Sequence, residues 1–368
     1  MNPKLRVLLV TQALGGVATH IEHIIRFSRD RFQFTLIAPP SPLAENARKL
    51  GVEVVEYNFT REVEPVADLA AAFFLWKWCR NNSYDVYHFH SSKAGAYGRI
   101  VAPLLKKTAK TLYTPHAISF LGFRGMKGTV FYMLERLLSG IGRVVAVSRS
   151  EKITLERFLP HAKVAVAWCG VVSDELSVRE IIATEDGEMR LVFSGRLNYQ
   201  KNPEMFMRVA IRLLGMFPTL RVYMIGAGYH DSESQALRAR LSKSGLTSRV
   251  SILDWLPAEE NREIMQAATV VVLTSRFESF GYVVAEAMAM KIPVVATKVD
   301  GPSDLIVPGE TGFLVDVDDD DSMVEHITTL LRSPLLRSEL GRNGCERIKA
   351  HFEANAGVSE LSKIYLSL

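Results

Sequence analysis

The 368-residue chain has only three cysteines, Cys79, Cys169 and Cys345, widely spaced and odd in number. That pattern fits neither a zinc site nor a disulfide framework, so a reducing cytoplasm is the expected setting. Long apolar runs are also missing. The nearest candidate, Val66 to Cys79, is interrupted by Asp68 and Lys77, well short of the roughly 18 continuous apolar residues of a spanning helix. The opening stretch Met1 to Val10 runs into Thr11 and Gln12 too soon for a secretory leader. The G-x-G-x-x-G fingerprint is absent after the first candidate strand, and no acidic residue closes the second at the expected distance, which disfavours a redox cofactor.

A hydrophobic fraction of 48% and a charged fraction of 23% fit a compact enzyme, and the length calls for two domains. The net charge of +4 conceals an asymmetry. Residues 1–170 carry 23 Lys and Arg against 12 Asp and Glu (+11), whereas the remainder carries 21 against 28 (−7). A basic first half suggests an anionic partner such as a membrane surface or a phosphorylated acceptor, with nucleic acid as the rival.

Short β runs alternate with helical stretches through residues 1–170, and the pattern restarts at 189. The fold class read from this is α/β, with two Rossmann-like, doubly wound parallel-sheet domains facing a cleft. The expected boundaries are a first domain over 1–170, a polar, acidic linker over 171–188 and a second domain over 189–350. A C-terminal helix over 351–368 is expected to return to the first domain.

Two constellations carry chemistry. In Arg276-Phe-Glu-Ser-Phe-Gly-Tyr282, a loop follows an apolar strand and becomes a helix. The amides of Phe280, Gly281 and Tyr282, at a helix start, form a seat for an anion. Glu286, on the second turn, is placed to reach the vicinal hydroxyls of a ribose, and Glu278, in the loop, those of a sugar. As isolated residues both would be ordinary helix charge. In Ser194-Gly-Arg-Leu-Asn-Tyr-Gln-Lys-Asn-Pro203, Arg196 and Lys201 sit between strand and helix, where two cations would neutralise a diphosphate leaving group. In the first domain, Gly15 and Gly16 follow the first strand and allow close approach of a ligand, Gly16 being assigned to the diphosphate as well. His116 closely follows another strand and is the candidate catalytic histidine beside Glu278. His88 and His90 share a strand face but lack carboxylate or Cys partners, a weak case for metal.

In this order the segments resemble the family 4 retaining glycosyltransferases of the two-domain GT-B architecture. The likeness rests on Gly15-Gly16, His116, Gly195-Arg-Leu with Gln200-Lys-Asn202, the E-x7-E spacing of Glu278 and Glu286, Pro293-Val-Val-Ala-Thr297 and Gly309-Glu-Thr-Gly-Phe-Leu314. Two elements depart from it: Cys169-Gly-Val-Val-Ser-Asp174 near the hinge, and Gly226-Ala-Gly-Tyr229 after a strand.

The resemblance implies a nucleotide-diphosphate sugar as co-substrate, no cofactor and no metal. It assigns Arg196 and Lys201 to the diphosphate, Glu286 to the ribose, and Glu278 and His116 to the transferred sugar. Asp318 to Asp321 is accordingly expected to be a solvated turn and helix start. His90-Ser-Ser-Lys-Ala-Gly-Ala-Tyr-Gly-Arg99 resembles a segment of members that build bacterial surface polysaccharides, which implies a polyprenyl-diphosphate-linked or growing-glycan acceptor and no nucleic acid. Phe73 to Trp78 and Leu121 to Lys127, with Lys106, Lys107 and Lys110, are the candidates for peripheral contact with the inner face of the plasma membrane. The leading expectation is a UDP-sugar donor. The alternatives are a GDP-mannose-dependent mannosyltransferase, a nucleotide-sugar epimerase of the same fold, and a non-catalytic sugar- or nucleic-acid-binding regulator.

Overall fold

The computed structural model describes residues 4–12, 15–60, 63–122, 125–176, 187–227, 231–245 and 247–368. The chain divides into two compact units, one of Met1–Gly170 with Ala354–Leu368 and one of Val171–Glu353. Both are built on wholly parallel sheets.

Unit 1 holds seven strands: β1 Leu5–Thr11, β2 Phe32–Ala38, β3 Glu53–Glu56, β4 Val86–His90, β5 Thr111–Thr114, β6 Arg143–Ala146 and β7 Val164–Val166, in the order β3-β2-β1-β4-β5-β6-β7. β1 and β4 read Leu-Arg-Val-Leu-Leu-Val-Thr and Val-Tyr-His-Phe-His and are buried along almost their whole length. That is the signature of a sheet covered on both faces by crossover helices. One covering layer includes the C-terminal helix Ala354–Leu366, whose Val358, Leu361 and Tyr365 join Val7, Leu9, Ile21 and Ile24 in a single core.

On the other face, helices Ser92–Leu104 and Met126–Leu138 are clamped together by charge. Arg99, fully buried, donates to Glu135 at 2.8 Å, stands over the Tyr113 ring at 3.9 Å and bonds Gly95 O at 3.0 Å. Tyr113 Oη donates to the other Glu135 oxygen at 3.0 Å. Neither charge has water to fall back on.

Unit 2 repeats the plan with six strands: β8 Met189–Ser194, β9 Leu220–Ala227, β10 Val250–Asp254, β11 Val270–Leu273, β12 Val294–Thr297 and β13 Phe313–Val315, in the order β10-β9-β8-β11-β12-β13. Its helices begin where capping chemistry dictates. Pro203 occupies the first turn of helix Pro203–Met216, and the Asp319 and Ser333 side chains accept backbone N–H groups at the starts of helices Asp320–Arg332 and Pro334–His351. Residues 171–176 belong to this unit, where Val171 bridges to Glu353 and Ser173 Oγ donates to the Glu353 carboxylate. Residues 177–186 of the expected linker lie outside the described residues.

Removing one partner of a buried ion pair strands the other. Glu135→Ala is therefore expected to destabilise the protein by about 3–5 kcal/mol, read from urea unfolding monitored in unit 1. A loss below about 1 kcal/mol would mean that Arg99 finds another anion or water, and the clamp would be discarded.

Candidate active site

In unit 2 the strand order reverses between neighbours β8 and β11, so the chain leaves the sheet in opposite directions and opens a crevice at their carboxyl ends. The segment after β8 carries Arg196 and Lys201, and the segment after β11 carries Glu278 and leads to Glu286. Topology alone brings the two sequence constellations together.

The contacts between them are dense. Lys201 Nζ lies 2.5 Å from Glu278 Oε1, and Ser275 Oγ donates to the same oxygen at 2.9 Å. The Lys201 and Glu278 side chains are only 14% and 10% exposed, so water screens this pair weakly. Gln200 makes the second cross-link. Its Nε2 donates to Phe277 O at 3.2 Å, its backbone O accepts Arg276 N at 2.7 Å, and its Oε1 accepts from the Arg196 guanidinium at 3.3 Å. Thr274 Oγ1 reaches Lys201 O and Asn202 O, each at 3.0 Å.

Backbone geometry fixes where this loop can lie. Gly226, at the end of β9, has φ +119°, and a Cβ there would stand 2.3 Å from Gly195 O. Only glycine lets β9 run so close beneath the Arg196 loop. Gly228 and Tyr229, which belong to the same departure from the family pattern, lie outside the described residues. Asn202, left-handed at φ +51°, ends the loop and precedes Pro203 at the helix start. Its side chain donates to Asp318 Oδ1 at 3.0 Å and accepts from Arg276 at 2.8 Å.

The Asp318 turn keeps the solvent exposure and the helix start expected of it, the Asp318 and Asp321 side chains being 45% and 89% exposed, and adds ion pairs that the sequence did not show. Asp318 pairs with Arg276, Asp320 accepts two bonds from Arg208 at 2.6 and 2.9 Å, and Asp321 accepts one from Arg212 at 2.7 Å. Partial burial pushes the Asp318 carboxyl upward, but the bonds from Arg276 and Asn202 outweigh it and hold the pKa below the usual value. The helix itself starts at Asp320. Through Asn202 and Arg276, Asp318 ties this turn to the two segments that carry Lys201 and Glu278.

Glu286 lies on helix Tyr282–Ala289, whose N-cap is the left-handed Gly281 at φ +86°. Phe280, Gly281 and Tyr282 therefore stand at a helix start, where first-turn amides lack intrahelical acceptors. Burial raises the Glu286 pKa to about 7, while Arg262 and Lys201 pull weakly the other way. A carboxyl near half-protonation can both donate to and accept from paired hydroxyls.

The other candidates gather in unit 1, at its own reversal point between β1 and β4. Gly15, at φ +72°, caps helix Gly16–Ser28, and His20 on that helix stacks edge-on against His116, ring centroids 5.1 Å apart. His116 holds φ +58°, uncommon for a residue with a side chain. Its Nε2 meets His90 Nδ1 at 3.0 Å, and His20 Nδ1 meets Cys169 Sγ at 3.2 Å. His88 is taken up structurally, 2.8 Å from both Tyr365 Oη and Thr114 Oγ1. Burial first, then neighbouring histidines, lowers the pKa of His20, His88, His90 and His116 well below the ordinary range. All four are neutral imidazoles near pH 7. Among the described residues no group of three His, Cys, Asp or Glu has the geometry to hold a metal.

Ser275, Arg262 and His20 had no distinguishing signal in the sequence. Arg262 and His20 act through partners distant in the chain, Glu286 and His116, and Ser275 through the carboxylate of Glu278 three residues on. Gln200 was visible only as part of a motif, and its role as the cross-link depends on the backbone of residues 276 and 277.

The Glu286 carboxyl binds its proton more tightly in the folded chain than in the unfolded one, so stability falls as pH rises from about 4.5 to about 7 and the loss is complete above that. Because Glu286 keeps some contact with solvent, the effect is about 1–2 kcal/mol. Glu286→Gln is expected to flatten that part of the stability–pH profile in denaturant titrations; an unchanged slope would contradict the shift.

Comparison with known proteins gives the family and the fold. A family model described as Glycosyltransferase Family 4 matches residues 14–175, and one described as Glycosyl transferases group 1 matches residues 174–347. The lipopolysaccharide core biosynthesis mannosyltransferase LpcC of Rhizobium leguminosarum bv. viciae is 30% identical over 299 residues, covering 80% of this chain and 81% of that protein. The UDP-Gal:alpha-D-GlcNAc-diphosphoundecaprenol alpha-1,3-galactosyltransferase of Escherichia coli is 22% identical over 322 residues, 84% of this chain and 82% of that one. Among solved structures, Anabaena HepE in complex with UDP-glucose superimposes with a TM-score of 0.84 at 18% identity, over 99% of this chain and all of that one, a likeness of fold. With two family models tiling the chain and the 30%-identical Rhizobium mannosyltransferase spanning four-fifths of it, the protein belongs to the family 4 glycosyltransferases, built on the GT-B pattern of two Rossmann-like domains.

Proposed function

We propose that the chain transfers a sugar from a UDP-sugar, with retention at the anomeric carbon, to a lipid-linked or growing-glycan acceptor in the assembly of a cell-surface polysaccharide. The observation that carries this reading is the meeting of Arg196, Lys201, Glu278 and Glu286 at the reversal point of the unit 2 sheet. Arg196 and Lys201 face the diphosphate. As the bond from the anomeric carbon to the β-phosphate oxygen breaks, negative charge grows on that oxygen, and fixed cations beside a helix start stabilise it without reorganising. This removes the need for a metal.

Glu286, with its half-protonated carboxyl, holds the ribose diol, and Glu278 holds the sugar hydroxyls near the reacting carbon. The Lys201–Glu278 pair closes the seat while it is empty. An arriving diphosphate competes for Lys201 and turns Glu278 over to the sugar, which couples donor binding to placement of the carboxylate. His116, neutral and fixed by His90, is assigned to the donor sugar on the family resemblance, and Gly15-Gly16 to close ligand approach in unit 1.

The UDP donor is supported by the named substrate of the Escherichia coli relative and by the UDP-glucose complex of the Anabaena protein. The lipid-linked acceptor is supported by the diphosphoundecaprenol in the former's name and by the +11 charge of residues 1–170. The mannosyltransferase relative favours a second reading, a GDP-mannose donor, and competition between UDP and GDP in calorimetry separates the two.

Glu278→Gln is expected to lower transfer at least about 10³-fold while UDP still binds, because the change frees Lys201. Arg196→Ala is expected to weaken UDP by about 10- to 100-fold. Turnover of Glu278→Gln within tenfold of the parent, or an inverted anomeric product by NMR, would sink the proposed chemistry.

A further inference from the structure

Helix Met126–Leu138 presents an outward face that nothing in unit 1 covers. Met126, Val130, Met133 and Leu137 are 83%, 60%, 59% and 78% exposed. At 3.6 residues per turn these four positions fall within an arc of about 60°, a continuous apolar stripe about 17 Å long. Single exposed apolar side chains are unremarkable, but an uninterrupted stripe marks a binding surface. The neighbouring helix Ser92–Leu104 widens it with Ile100 and Leu104, 45% and 69% exposed.

Charge identifies the occupant. Lys127 and Arg136, both exposed, flank the stripe about 100° to one side and about 80° to the other. The only acid of the helix, Glu135, lies opposite the stripe and is locked inward on Arg99 and Tyr113. The outer face is therefore apolar along its crest, cationic on both shoulders and free of negative charge. Just beyond Leu104 come Lys106, Lys107 and Lys110.

A protein partner would match the stripe as well as a bilayer would, but the paired basic shoulders, with no acid among them, fit a surface of uniformly negative charge. No described helix is long and apolar enough to cross a membrane, so this one lies on the surface.

We propose that the crest of helix Met126–Leu138, with Ile100 and Leu104, docks on an anionic lipid bilayer, seating unit 1 where a lipid-linked acceptor resides. This deepens the acceptor reading above and rests on it for its purpose, whereas its test reads membrane binding alone. It moves the contact away from Phe73 to Trp78 and extends the other segment singled out in the sequence, whose Met126 and Lys127 open this helix. Among the apolar residues of Phe73 to Trp78 only Phe73 is strongly exposed, while Leu75 is fully buried and Phe74, Trp76 and Trp78 pack against the core.

The test is flotation of the full chain with vesicles of phosphatidylcholine alone or mixed with phosphatidylglycerol. Binding is expected only with the anionic vesicles and is expected to weaken with salt. Met133→Ser with Leu137→Ser, and separately Lys127→Glu with Arg136→Glu, are each expected to lower the bound fraction by about tenfold or more. All four positions are solvent-exposed, so thermal melts and UDP affinity are expected to match the parent. Absence of wild-type binding to anionic vesicles would overturn the proposal and leave the donor chemistry intact, as would unchanged flotation of both variants. A wild-type dimer in light scattering that Met133→Ser with Leu137→Ser dissociates would instead assign the face to a second copy, and the bilayer would be discarded.

Discussion

The ion pair between Lys201 and Glu278 is the constraint on which the unit 2 site depends. A surface pair of this kind would contribute little, because water screens it and two flexible side chains must be ordered. Here both partners are nearly enclosed, Ser275 shares the carboxylate, and Thr274 bonds the Lys201 backbone directly. An enclosed pair costs desolvation energy that its own attraction must offset, so it is weak as a source of stability and strong as a source of specificity. In the proposed function it keeps a cation and a carboxylate ready at fixed positions. A diphosphate exchanges one anion for another beside Lys201, and the released Glu278 carboxylate keeps the Ser275 bond and gains the sugar hydroxyls.

The same logic of buried, mutually satisfied charge recurs in unit 1 with a different outcome. Arg99 and Glu135 join two helices behind the sheet, and by holding the single acid of helix Met126–Leu138 inward they leave its outer face without negative charge. The histidines at the reversal point take the opposite course and remain neutral, so that four imidazoles can stand together without repulsion. His116, held in a left-handed backbone conformation beside His90 and His20, is the strained member of that group.

Much of the fold was legible because both sheets are parallel and buried, so that their strands appear as compact runs of Val, Leu and Ile between helical stretches. The site was legible as two separate segments, each unremarkable alone. That they meet follows from strand order, which periodicity does not encode. Arg262 and His20 were not legible because each has meaning only through a partner far away in the chain, and Ser275 because a lone serine in a loop does not announce its bond to Glu278. The Asp318 turn was legible as an exposed turn and helix start, but a run of acidic residues gives no sign of the arginines, Arg208, Arg212 and Arg276, that fold against it.

The most direct measurement of the central claim is the calorimetric affinity for UDP across a double-mutant cycle of Lys201→Ala and Glu278→Ala. If Lys201 is shared between the carboxylate and the diphosphate, Lys201→Ala weakens UDP by about 10- to 100-fold. Glu278→Ala leaves the affinity equal or tighter, and the advantage it confers disappears when Lys201 is also removed. Equal UDP affinity in the parent and in Lys201→Ala would contradict the account, since the pair at the reversal point would then have no part in holding the donor.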